Sequence, residues 1–242
     1  MKREFTLHDL ESWPSEVTAF FDRNASFYKN LFFTSHDWEE SISLGRRYDQ
    51  LHEEFTAVLE SFSLCAYHCT RLTEAEIADV KKNGIVPLSP GFLERRIRQL
   101  GLPRDVTELL LKENRVDEKN RQNMIWFCLF PPEWQSYGVQ RFFRSWGGES
   151  LYADHERHPS TGPILRQIGI PCVVELLVPI RLMQHQFFAI TMPKHYFGAE
   201  KGVLRAEDHS REILDSSRIV KIHKHPSSSF EKLSGWSRHE GG

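Results

Sequence analysis

Apolar and polar positions alternate from Leu64 to Leu72, the signature of a strand. Leu64, Ala66, His68, Thr70 and Leu72 take one face, and Cys65, Tyr67, Cys69 and Arg71 take the other. His68 and Thr70 then stand side by side, about 7 Å apart along the strand. The period changes at Thr73, an N-cap residue with Glu76 three positions on to complete a capping box. A helix follows, with Ile77 and Val80 on its apolar side and Gly84 just past Lys81 and Lys82 at its end.

Upstream, residues 1 to about 60 carry a helical period. Val17, Phe20, Phe21, Phe27, Tyr28, Leu31 and Phe32 recur at three- and four-residue spacings after Pro14. A second helix is expected from about Asp37 to Glu60, with Trp38, Ile42, Leu51, Phe55, Val58 and Leu59 on its buried side. Downstream, Phe92 to Arg121 is helical and rich in arginine. Met124 to Phe130 is a short apolar run stopped by Pro131-Pro132, which favours a buried strand. Residues 139 to 152 predict two strand halves broken at Gly147-Gly148. Ile170 to Leu182 is apolar on both faces and predicts a central strand with one charge, Glu175, which needs a partner or a role. Phe187 to Ser210 looks like a loop with exposed aromatics. Arg211 to His223 predicts a strand opened by Glu212 and bent at Asp215-Ser216-Ser217. The polar segment from Pro226 on is expected to fray.

Composition narrows the picture. The chain has 242 residues, 40% of them hydrophobic, enough for a packed core. A net charge of −2 argues against a broadly basic coat for nucleic acid. The four cysteines, at 65, 69, 128 and 172, form no CxxC pair, and no secretory leader is visible in MKREFTLHDL; reduced thiols in a cytoplasmic protein are expected. No apolar run approaches membrane-spanning length, so no membrane partner is expected. His155-Glu-Arg-His158 lacks the HExxH spacing of zinc enzymes and runs into Pro159, so no metal site is assigned. The arginines between 95 and 121 are diluted by acidic residues. They are read first as a solvated face and second as a surface for a polyanion.

His68-Cys69-Thr70-Arg71, a short helix and then Asn-Gly-Ile-Val-Pro-Leu-Ser resemble the opening of the ADP-ribosyltransferase family. Cys69 stands where members of that family often have Gly. A late glutamate followed by a bend and an apolar half-strand, as in Glu212-Ile-Leu-Asp-Ser-Ser-Arg-Ile-Val, is similar to the family's catalytic segment. The resemblance implies an α+β chain. A split, mostly antiparallel ADP-ribosyltransferase-like core would span residues 62–226, with a helical layer before it (1–61) and a flexible tail after it (227–242). It implies NAD as substrate, held by His68, Thr70 and Arg71, with Tyr152 or Trp146 stacking on nicotinamide and Tyr152 preferred. Glu212 is the implied catalytic acid, with Glu149 and Glu175 as fallbacks.

The activity implied is mono-ADP-ribosyl transfer to a macromolecular acceptor, nucleic acid or protein, as in toxins and defence effectors. A cognate antitoxin or inhibitor would then be a partner. Two other classes stay open: a catalytically inactive nucleotide- or partner-binding module of the same shape, and an RNA-binding protein.

Overall fold

A computed structural model describes residues 3–133, 137–184, 188–199 and 206–236. In chain order its elements are β1 (Glu4–Phe5), α1 (Ser15–Arg23), α2 (Ala25–Phe33), α3 (Trp38–Leu59), β2 (Ser63–Leu72), α4 (Glu74–Asn83), α5 (Pro90–Gln99), α6 (Arg104–Lys112), β3 (Ile125–Cys128), α7 (Tyr137–Arg144), α8 (Glu149–His155), α9 (Thr161–Gln167), β4 (Ile170–Pro179), α10 (Phe188–Tyr196), β5 (Glu207–Ser210), β6 (Ile219–Lys224) and α11 (Ser228–Ser234). The class is α+β. Five strands run antiparallel in the order β5-β3-β2-β4-β6, and β1 adds to β2 in parallel. The short β1, too brief for a sequence period to show, corrects the all-helical reading of the first 60 residues.

The central strands carry the register. β2 and β4 pair along their whole length, from Ser63↔Pro179 to Leu72↔Ile170. Between β2 and β3 the ladder narrows to one registered pair, Tyr67↔Cys128. One face of the sheet carries Leu64, Ala66, Leu72, Phe127 and Val174. It packs against Val17, Phe20 and Phe21 of α1, Leu51, Phe55 and Leu59 of α3, and Phe188 and Met192 of α10. The opposite face carries Cys65, Tyr67, Cys69 and Val173 and is covered by Val139 and Phe143 of α7 and Phe230 of α11. A satellite core of Leu93, Ile97, Val106, Leu110, Trp146, Leu151 and Leu165 joins α5, α6, α8 and α9.

One carboxylate ties that satellite to the sheet. Thr73 and Glu76 form the expected capping box at the start of α4: Thr73 Oγ1 accepts the Glu76 N–H at 3.2 Å, and Glu76 Oε2 accepts the Thr73 N–H at 2.8 Å. The same carboxylate accepts Nε–H of Arg96 on α5 at 2.6 Å and pairs with its Nη2. It also accepts the indole N–H of Trp146, 3.0 Å from Oε2. The Arg96 guanidinium lies 4.9 Å from the Trp146 ring centroid, a cation–π contact.

Several expectations give way. Residues 139 to 152 are not strands but α7 and α8. Val139 and Phe143 fall four apart on one buried helical face, and Gly147 (φ 87°) and Gly148 (φ 61°) separate the helices. The expected loop from 187 contains α10, with Phe188 buried, and β5; Phe187 and residues 200–205 lie outside the described residues. The expected frayed tail holds α11, whose Phe230 is fully buried against Phe143; residues 237–242 lie outside the described residues. Trp38 and Ile42, assigned to the buried side of α3, are exposed, because only the C-terminal half of that helix meets the core.

Removing one partner of a half-buried ion pair leaves the other charge unpaired, which typically costs about 3–5 kcal/mol. Glu76→Ala is therefore expected to lower the unfolding free energy by about that amount in urea titration. Glu94→Ala, which removes an exposed i,i+4 pair with Arg98, is expected to change it by about 0.5 kcal/mol or less.

Candidate functional site

The site follows from which face of β2 each side chain takes. Tyr67 pairs with Cys128, so the next residues inward, His68 and Phe127, share the other face. β5 continues the rows across β3: Phe127↔Asp208 and Ile125↔Ser210. Phe127, Ile125 and Ser210 thus lie on the face of the sheet that carries His68 and Thr70. β2 and β5 point the same way, so their C-terminal ends share one edge of the sheet.

His68 is half-buried and held through one nitrogen. Its Nδ1 lies 2.7 Å from the Trp126 carbonyl, at the point where the β2–β3 ladder has narrowed. A carbonyl only accepts, so Nδ1 carries the proton and Nε2 presents a lone pair. Among the described residues nothing bonds Nε2. Burial holds the His68 pKa below the ordinary 6.5; the Trp126 bond opposes that shift, and the nearby Arg96 charge adds to it. The ring is therefore neutral at physiological pH. Thr70 is buried, and its hydroxyl makes only a long 3.4 Å bond to the Arg71 carbonyl.

Glu212 does not open a strand. β5 ends at Ser210, and Glu212 sits in the exposed bend that follows. The Ser210 hydroxyl accepts the Glu212 N–H at 3.1 Å and donates to its carbonyl at 3.3 Å, clamping the bend. Its carboxylate has no partner among the described residues. Two residues on, Leu214 is buried and bridges Ile85, with N–H to carbonyl distances of 2.8 and 3.0 Å. Gly84 makes this approach feasible: at φ 84°, a Cβ there would stand 2.1 Å from the Leu214 carbonyl oxygen.

The other nominated residues go elsewhere. Arg71 takes the opposite face of the sheet, where it donates to the carbonyls of Ile168 (2.9 Å), Phe143 (2.9 Å) and Gly169 (2.6 Å), near the ends of α9 and α7. It is a structural clamp rather than an NAD ligand. Trp146 is completely buried in the satellite core and offers no ring face to a ligand. Tyr152 is buried on α8, with the Arg141 guanidinium 4.1 Å from its ring centroid and Phe142 edge-on. Both aromatic assignments are corrected by the helical geometry of 137–155. Glu175 points to the Tyr67 face, away from His68, and meets His223 Nε2 at 2.9 Å. Glu149 pairs with Arg121 at 3.0 Å. His155, half of the HERH segment, is buried and bonds Thr161 and the Glu113 carbonyl.

The arginine-rich stretch is largely paired within the chain. Arg96, Arg98, Arg104, Arg115 and Arg121 each meet a carboxylate. Arg96 and Arg121 are largely buried in these pairs, whereas Arg98 and Arg104 are exposed. Sequence reasoning missed Ser210 and the Trp126 carbonyl. The first sits in a strand too short to show a period, and the second is main chain, which no side-chain pattern reports.

Comparison with protein-family models, with curated proteins and with solved structures finds no match. No helix among the described residues is long and apolar enough to cross a membrane.

Two outcomes test this geometry. The His68 pKa is depressed in the fold, so the unfolded chain binds more protons below pH 6.5. Stability should therefore fall as pH drops from 6.5 toward the lower folded value, and His68→Gln should lessen that fall. The difference between the two proteins' urea midpoints across pH is the readout, because His8 is depressed by burial as well. Gly84→Ala should destabilise by about 2 kcal/mol or more. Amide exchange at Ile85 and Leu214 should accelerate with it.

Proposed function

We propose that this chain is an ADP-ribosyltransferase that uses NAD as substrate and transfers ADP-ribose to a macromolecular acceptor, nucleic acid or protein. One observation carries the reading. A neutral histidine with a bare Nε2 and a neighbouring threonine lie in the C-terminal half of β2, and an unpartnered glutamate follows the C-terminal end of β5, which points the same way, though 142 to 144 residues separate the glutamate from the pair in sequence.

The chemistry suits these groups. Nε2 of His68 can accept a hydrogen bond from a ribose hydroxyl, and the Thr70 hydroxyl can bond a carboxamide. Together they fix the dinucleotide, which is a positioning contribution. Breaking the nicotinamide–ribose bond builds positive charge on the ribose, in the manner of glycoside transfer. The Glu212 carboxylate can bond a ribose hydroxyl and stabilise that charge. Nicotinamide leaves with the bonding pair, the acceptor's nucleophile joins the ribose carbon, and the acceptor's proton passes to solvent or to Glu212.

A second reading is favoured by the burial of Trp146 and Tyr152. With neither ring available to stack on nicotinamide, the same groups would bind a nucleotide without turnover. Release of nicotinamide from NAD, with nucleic acid or lysate protein added as acceptor, distinguishes the two. On the enzymatic reading, Glu212→Gln lowers release by about 100-fold or more while leaving the melting temperature unchanged, since Glu212 is exposed. On the binding reading, NAD raises the melting temperature and wild type releases no nicotinamide.

A further inference from the structure

The first half of α3 meets the core only through the half-buried Tyr48. The helix's first buried residue is Leu51; from Trp38 to Gln50, about 20 Å of helix, none of its side chains is fully buried. Trp38 is 78% exposed and Ile42 42% exposed. With Gly45 they fall at i, i+4 and i+7, which places them on one stripe. Gly45 weakens a helix interior, yet a Cβ there would meet no atom within 4 Å, so this chain's own packing does not ask for it. Beside the stripe stand Glu39 and Arg46, seven residues apart on one flank. Neither has an ion-pair partner among the described residues, whereas Arg47 pairs with Glu54 and Glu40 with His36.

We propose that this half of α3 is a self-association surface, pairing antiparallel with α3 of a second copy across a two-fold axis between Ile42 and Gly45. Turned end for end, the stripe is its own complement. Ile42 of each copy lies over the bare backbone at Gly45 of the other. Glu39 of each copy opposes Arg46 of the other, so one contact yields two ion pairs. In a parallel pairing this flank would face the opposite flank of the second copy, and neither ion pair would form. This reversal of charge sign along the helix is what selects a second copy over an unrelated apolar partner. The seam is short for a stable interface, so the dimer is expected to form on the order of micromolar concentration.

Sedimentation velocity of the full chain, from about one to a few hundred micromolar, tests it. Wild type should shift from monomer to dimer across that range. Ile42→Glu should remain monomeric throughout. Gly45→Ala should keep or raise the thermal midpoint while weakening the dimer. Glu39→Arg should weaken association about tenfold or more, and Glu39→Arg combined with Arg46→Glu should restore it. These positions are exposed, and circular dichroism checks that each variant folds. A wild type that is monomeric at every concentration overturns the proposal. So does a dimer indifferent to Ile42→Glu, or a double swap as weak as the single one.

Discussion

The carboxylate of Glu76 is the constraint on which the architecture turns. It begins as a local device that satisfies an orphan N–H at the first turn of α4. It ends as the meeting point of three elements, because Arg96 and Trp146 reach the same two oxygens from α5 and from the turn after α7. A half-buried carboxylate with so many donors holds its partners in one arrangement, since leaving any of them unpaired is costly. The satellite core and the end of β2 are thereby fixed to each other, and Arg96 is kept close enough to His68 to add to the lowering of its pKa that burial causes.

The geometry of the sheet edge depends on two smaller conditions. β2 and β3 share one registered pair, and near it the Trp126 carbonyl is taken by the His68 ring. That bond sets the tautomer and turns Nε2 into a free acceptor. On the far side of β3, the serine clamp at Ser210 and the bare backbone at Gly84 let residues 211 to 215 turn back over the strand ends. The exposed Glu212 is a consequence of that tight turn.

How much of this was legible in the sequence varied with range. The β2 alternation and the α4 capping box were readable because both are set by neighbours within a few residues. The central strand at 170–179 was readable because it is apolar on both faces. The stretch 139–152 was not: aromatic and β-branched residues favour strands only weakly, and its helical period decides once the face carrying Val139 and Phe143 packs on the sheet. Burial of Trp146 followed from the same helices, as did the loss of its assigned role. Phe230 alone in a polar tail gives too faint a signal for a docked helix.

The sequence alone determined the local facts: which side chains alternate on β2, where α4 is capped, which strand lies at the centre, and that His68 and Thr70 share a face. These depend on backbone periodicity and on hydrogen bonds spanning three or four residues. Only the tertiary structure decided which polar groups remain available. Arg71, Trp146 and Tyr152 were drawn into structural contacts, while Nε2 of His68 and the Glu212 carboxylate were left open. The physical reason is that a donor or acceptor is satisfied by whatever the fold brings within about 3 Å, and that distance is set by strand register and helix packing rather than by sequence spacing.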